Sequence, residues 1–317
     1  TKLRRINMKL SYLTACFNNL SLEEKVKFAA EQKFDAIELS CWPVANDRDY
    51  SSTDIDVSKF DSKAKEDILK LTGENNIEIA SLAYYDNCLH PDTSIRENNV
   101  KHLYNVIETA GKLGVKFVGA FAGRNLDLSF EENFTEFEKI FPNIVKYAAD
   151  RNVNLLIENC SMPGWHREGW GATISYSPEL WDRMFEIIPD ENFGLNFDPS
   201  HLIWLGVDYI KALIDYKERV LYFHAKDTKI FEEKRSYYSI FGKQLDRENE
   251  WDYGWWQHKI PGKGSVDWQK IYQTLREIGY DGYVSIEHED LNYSENDEAI
   301  KLGLMKGKAF LDSIFKK

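Results

Sequence analysis

The sequence lacks the features that would send a chain to a membrane, to nucleic acid or into a disulfide scaffold. Nowhere do about 20 apolar residues run together, the length a bilayer-spanning helix needs, and no leader-type apolar segment opens the chain. Cysteine is scarce: Cys16, Cys41, Cys88 and Cys160 lie far apart, with no Cys-x-x-Cys pair. That excludes a disulfide framework and a thiolate zinc clip, and reads as reduced thiols in a cytosolic protein. Positive charge is in deficit, 40 Lys and Arg against 52 Asp and Glu, for a formal net charge of -12. A phosphate-backbone partner calls for the opposite balance, so no nucleic-acid partner is expected. What is plentiful is apolar residue, 43% of 317, ample for a large core. That length exceeds the usual single-core size, although α/β barrels of roughly 250 residues and more fold as one domain.

Strand and helix signals alternate along the chain. Met8–Leu13 reads as a first strand, followed by a helix over Ser21–Lys33 that opens on a capping box, Ser21 with Glu24. Ala36–Leu39 is a second strand with Glu38 near its end, and a helix runs from Ser62 to Asn75. Ile77–Ala83 is a third strand, leading into a loop that carries His90. Ser94 and Glu97 form another box, starting a helix that Gly114 stops. Lys116–Ala120, Asn154–Ile157, Phe193–Phe197, Val220–Phe223 and Tyr283–Ile286 complete eight strands. Helices over 131–151, 177–188, 208–216, 267–278 and 295–315 separate or follow them. Eight strand-then-helix units imply parallel pairing through right-handed crossovers. The count is that of an α/β fold closed as a single (β/α)8 barrel, one domain over 8–317. Residues 1–7 read as an N-terminal extension or processing remnant. An open doubly wound sheet is the alternative, but no Gly-rich phosphate turn follows the first strand.

Strands five to eight end on chemistry. Leu-Leu-Ile-Glu158, Leu-Asn-Phe-Asp198, Leu-Tyr-Phe-His224 and Val-Ser-Ile-Glu287 each place a potential ligand just past an apolar run. In a barrel these ends are neighbours on the C-terminal rim, where such folds keep their active sites. One acid there is an ordinary cap or pairing partner; four successive ligands form a constellation. Three clustered carboxylates raise one another's pKa, and a divalent cation relieves the clash. Three oxygen donors with one imidazole suit one divalent cation, Mn²⁺ first, with Mg²⁺, Co²⁺ or Zn²⁺ as alternatives.

The runs Ile157-Glu158-Asn159, Asp198-Pro-Ser-His201, His224-Ala-Lys-Asp227, Pro261-Gly-Lys-Gly-Ser-Val-Asp267-Trp268 and Ser285-Ile-Glu287-His-Glu resemble, in order and over nearly the whole chain, the sugar phosphate isomerase/epimerase family of xylose-isomerase-like TIM barrels. The resemblance implies one cation held by Glu158, Asp198, His224 and Glu287, with Glu158 and Glu287 doubling as the catalytic acid/base pair. It also implies that His201 contacts a substrate hydroxyl or carbonyl. The ketose 3-epimerases carry an Arg shortly after the metal histidine; here the turn reads Asp227-Thr-Lys-Ile, which separates this chain from their particular substrate.

Further substrate-contact candidates are Lys226 and Asp227 after the seventh strand, His90 and Arg124 on the loops after strands three and four, and Trp165, beside His166, in the loop after Glu158. His258 lies in a long segment after the seventh strand, rich in aromatics from Tyr237 to Trp256, which reads as a lid over the barrel mouth. Such a stretch also suits a homo-oligomer contact through 231–260. The function expected is a divalent-metal-dependent carbohydrate isomerase or epimerase, acting through an enediolate on a small-molecule keto- or aldo-sugar. A lyase eliminating from a 3-keto-glycoside or dehydrating an inosose would use the same residues. A nuclease like endonuclease IV would need more than the seven histidines present and a basic groove.

Overall fold

The computed structural model describes residues 8–45, 52–162, 171–249 and 251–316. The chain runs β1 (Lys9–Tyr12), α1 (Leu22–Glu31), β2 (Ala36–Ser40), α2 (Ser62–Glu74), β3 (Glu78–Tyr84), α3 (Thr93–Leu113), β4 (Phe117–Ala120), α4 (Phe130–Ala149) and β5 (Asn154–Glu158). It continues α5 (Pro178–Ile187), β6 (Phe193–Phe197), α6 (Pro199–Leu205), α7 (Tyr209–Asp215), β7 (Val220–Ala225), β8 (Asp227–Ile230), α8 (Glu232–Tyr238), β9 (Trp256–Lys259), α9 (Trp268–Glu277), β10 (Tyr283–Ile286) and α10 (Asp297–Phe315). Eight of these strands pair in parallel in the order β1-β10-β7-β6-β5-β4-β3-β2. A parallel bridge between Leu13 and Glu38 joins the two ends, so the expected barrel closes. No helix among the described residues is long and apolar enough to cross a membrane.

Capping chemistry sets the helix starts. Ser21 and Glu24 exchange both bonds of the expected box. The box expected at Ser94 and Glu97 is replaced by Asp92, whose carboxylate accepts from Ile95 N, so α3 begins at Thr93. An acid two residues earlier supplies a charged acceptor for the first-turn amides, and the helix starts there. Gly114 ends α3 in the left-handed region, as the stop signal implied.

Strand alternation divides the barrel into two environments. Leu155, Ile157, Leu195, Phe197, Phe223 and Ile286 belong to the main core. Ala36, Ala80, Leu156 and Tyr222 form a separate small cluster. With a period of two, the residues two positions after Ala36, Leu156 and Tyr222 continue up the same face. They are Glu38, Glu158 and His224, all buried. The polar site therefore stacks directly on an apolar floor.

The segment after β7 differs from a simple lid loop. β8 and β9 form an antiparallel hairpin, Asp227 opposite Lys259. Trp256 stacks on Trp204 of α6 at 4.5 Å and on Tyr253 at 4.5 Å, so much of its aromatic content is buried structure. Tyr237 and Trp251 remain exposed. The hairpin's base is tied by Asp227, whose Oδ1 accepts from Thr228 N and Val266 N and whose Oδ2 accepts from Gly262 N, Gly264 N and Trp268 Nε1. Gly264 is required there, since a Cβ would stand 2.0 Å from Asp227 Oδ1.

A second buried charge holds the segment after β2. Lys25 of α1 meets Asp54 at 2.6 Å, both side chains being almost wholly excluded from solvent. Asp54 also accepts from Thr14 Oγ1, from Ser40 N at 3.0 Å and from Ser40 Oγ at 2.7 Å. Removing one member of a buried pair costs more than the pair contributes, because the survivor is left unpaired out of water. Asp54→Ala is therefore expected to lower unfolding free energy by about 3–5 kcal/mol, and Lys25→Met with Asp54→Ala to recover part of it. Urea denaturation of the three proteins checks this; a loss under about 1 kcal/mol in Asp54→Ala would contradict the pairing's role.

Candidate active site

The site forms where β5, β6, β7 and β10 end. Glu158 is the last residue of β5. Asp198 follows β6 and serves as N-cap of α6, its Oδ1 accepting from Ser200 N at 2.7 Å. Pro199 occupies the first helical position, which needs no N–H. Oδ2 is thereby left for the lumen. Asn159 locks the two strand ends together: its amide donates to Asp198 O at 2.8 Å and its oxygen accepts from Asp198 N at 2.7 Å.

Donor atoms of Glu158, Asp198, His201 and Glu287 all lie within 4.8 Å of one another, every residue buried. Three members of the expected ligand set thus converge, and His201, in the first turn of α6, is the imidazole grouped with them. His224 adjoins the group: its Nδ1 stands 3.0 Å from Glu158 Oε1 and 3.3 Å from Glu287 Oε2. Its Nε2 is turned to Glu38, 3.0 Å away. Lys226 adds a buried ammonium, 2.6 Å from Glu287, 2.9 Å from Glu289 and 3.4 Å from Asp198.

Burial dominates the electrostatics. Burial and the neighbouring Glu287 push the Glu158 carboxyl up to about 8, and burial carries Asp198 to about 6. Burial acts on Glu287 in the same sense, but the charges of Lys226 and His224 overcome it and hold it well below the usual carboxylate range. Burial and the adjacent ammonium depress His201. Both nitrogens of His201 are buried and make no hydrogen bond, while Asp198 Oδ2 and Glu287 Oε2 are buried and face the Lys226 ammonium, at 3.4 and 2.6 Å. Buried polar atoms without partners are expensive unless something binds them. Carboxylates that cannot all ionise together, beside an imidazole with idle nitrogens, fit a divalent cation.

The remaining expected contacts are spread more widely. Asp227 does not face this group: five N–H donors use both of its oxygens, so the expectation of a substrate contact is corrected to a loop-organising role. His258, on β9, packs edge-on against His201 at 5.3 Å and lies 3.8 Å from Glu289. His90 and Arg124 line a different recess, a cavity of about 370 Å³ between the loops after β3 and β4. His90 Nδ1 accepts from Asp92 N there, and Arg124 donates to Gly171 O. Trp165 and His166 lie outside the described residues. Glu289, Cys160 and Tyr85 were not singled out from sequence. Glu289 could have been: His288 turns outward against Gly303, so its neighbour alternates back to the site. Cys160 groups with Glu158 and His201, but nothing in its spacing announced it.

Residues 26–310 match the family described as Xylose isomerase-like TIM barrel. The chain belongs to that family. Among its relatives, the uncharacterized protein YfiH of Bacillus subtilis is 25% identical over 310 residues, covering 90% of this chain and 94% of YfiH. Inosose dehydratase of Clostridium perfringens is 29% identical over 121 residues, 37% of this chain and 38% of the enzyme. Two solved structures share the fold. The IOLI protein with a binding zinc atom has a TM-score of 0.71 at 18% identity, covering 98% of this chain and 100% of its own. D-psicose 3-epimerase with D-tagatose, from Clostridium cellulolyticum H10, has a TM-score of 0.67 at 14% identity, covering 97% and 99%.

For this xylose isomerase-like barrel, adding a divalent cation at a hundred times its dissociation constant should stabilise the fold by about 2.7 kcal/mol. Asp198→Asn should lose most of that shift. Thermal unfolding with and without Mn²⁺ checks it, and an unchanged Tm for the unsubstituted protein would contradict the site.

Proposed function

We propose that the protein is a divalent-metal-dependent carbohydrate isomerase or epimerase, acting on a keto- or aldo-sugar through an enediolate. The observation that carries this is the buried convergence of Glu158, Asp198, His201 and Glu287 within 4.8 Å, with both His201 nitrogens free of hydrogen bonds, at the C-terminal end of the barrel. Glu158, Asp198, His224 and Glu287 would hold the cation, with Mn²⁺ as the proposed ion. When bound, it supplies a Lewis acid for a carbonyl and its neighbouring hydroxyl. Glu287, beside the Lys226 ammonium, is proposed as the base that takes the proton from the carbon between them. Glu158 is proposed as the partner acid that returns one. His201 offers idle nitrogens to a substrate oxygen, and His258 closes the same side. The recess lined by His90 and Arg124 is proposed to receive the far end of the substrate.

A second reading, elimination, is favoured by two observations. The relatives include inosose dehydratases. Lys226 lies against Glu287, where its ammonium can protonate a departing hydroxyl. A small-molecule substrate is common to both readings. A homo-oligomer is proposed through the exposed Tyr237, Ile240 and Leu245 of the 231–260 segment.

One experiment separates the outcomes. The manganese-loaded protein is incubated in D₂O with a panel of ketohexoses and inososes, and the products are read by mass spectrometry. Deuterium incorporated next to the carbonyl with every oxygen retained supports isomerisation or epimerisation; loss of water supports elimination. Neither exchange nor loss of water on any member would contradict both. Glu287→Gln keeps the volume but removes the base, so turnover should fall by about 10²–10⁴-fold with the fold intact.

A further inference from the structure

Glu38 stands outside the donor group, yet each of its carboxylate's bonds leads to the imidazole beside that group or to a tyrosine packed against that imidazole. It lies on β2, fully buried. Its Oε2 is 3.0 Å from His224 Nε2 and accepts from Tyr222 Oη at 3.1 Å. Its Oε1 accepts from Tyr85 Oη at 2.9 Å, and that hydroxyl accepts in turn from Asn196 Nδ2 at 2.9 Å. Tyr85 Oη also stands 3.5 Å from His224 Nε2, but its contact with Glu38 is much the shorter, and its proton goes there. The pairing of β2 with β3 shifts register between Ile37 and Glu38, the extra residue, Ala80, lying on β3, so β2 keeps the alternation that carries Glu38 up from Ala36. Gly119 leaves the room that Tyr85 needs, because a Cβ would stand 2.2 Å from its hydroxyl.

A carboxylate that already receives two phenol protons has only lone pairs to offer an imidazole. The N–H of this contact belongs to His224 Nε2. Nδ1 is then the ring nitrogen left to ligate, and it is the one aimed between Glu158 and Glu287, at 3.0 and 3.3 Å. A carboxylate that holds the far nitrogen of a ligating histidine fixes its tautomer and ring plane and raises its basicity. We propose that Glu38 is the positioning residue for His224, presenting Nδ1 to a cation held by the site's carboxylates. The inference rests on the proposed reading that a divalent cation binds this cluster.

The test reads metal binding and tautomer directly. Zinc affinity is measured by competition with a chelating indicator for the unsubstituted protein, Glu38→Gln and Asp198→Asn. Imidazole ¹⁵N shifts are recorded on the zinc-loaded unsubstituted protein, with His224 assigned from its absence in His224→Gln. The expected result is a His224 protonated on Nε2 and metal-bound through Nδ1, with affinity about 10–100-fold weaker in Glu38→Gln. If Asp198→Asn loses zinc while Glu38→Gln binds it as tightly as the unsubstituted protein, the positioning role is overturned and the metal reading stands. If the unsubstituted protein binds no zinc, the metal reading fails and takes this inference with it. Should Glu38→Gln not fold, the tautomer of the unsubstituted protein still decides: a His224 protonated on Nδ1 overturns the proposal.

Discussion

The structure depends on burying negative charge at the end of a barrel without leaving it unanswered. Glu38, Glu158, Asp198 and Glu287 are all withdrawn from solvent, and Glu289 borders them. Each ionised carboxylate moved from water into such surroundings costs several kcal/mol unless a counter-charge or donors replace its hydration. Lys226 answers three of the acids, His224 links Glu38, Glu158 and Glu287, and two tyrosine hydroxyls complete Glu38. What is left over is an imidazole without hydrogen bonds, His201, among three acids that a single ammonium and a second imidazole must share, and there the fold asks for a ligand.

Ordinary backbone rules deliver that arrangement. Alternation along β2, β5 and β7 lifts Glu38, Glu158 and His224 from the floor of Ala36, Leu156 and Tyr222. A proline-led helix start after β6 divides the work of Asp198, one oxygen to the cap and the other to the lumen. The hairpin of β8 and β9 then brings His258 to His201, held at its base by Asp227 and on its face by the Trp204–Trp256 stack. The same physics that satisfies the backbone aims the chemistry.

Much of this was legible in the sequence because it rests on local signals. Apolar runs closing on Glu158, Asp198 and Glu287, together with the count of eight units, gave both the barrel and the rim where the acids meet. What was not legible depends on orientation across the lumen. Nothing in a linear reading says that His224 turns one nitrogen to β2, or that His201 joins the carboxylates. Asp227 looked like a site residue from its place after a ligand, but the amides that claim it come from a loop 35 to 39 positions away. The aromatic segment has the composition of a cover, but long-range stacking on Trp204 makes much of it core.

The central claim is that these side chains surround one cation. An anomalous-difference map from a crystal grown with Mn²⁺ tests it most directly. The account predicts a single peak per chain, with oxygen or nitrogen atoms of Glu158, Asp198, His224 and Glu287 at roughly 2.0–2.3 Å. A map without a peak there, with Lys226 still bridging Glu287 and Asp198, would contradict it.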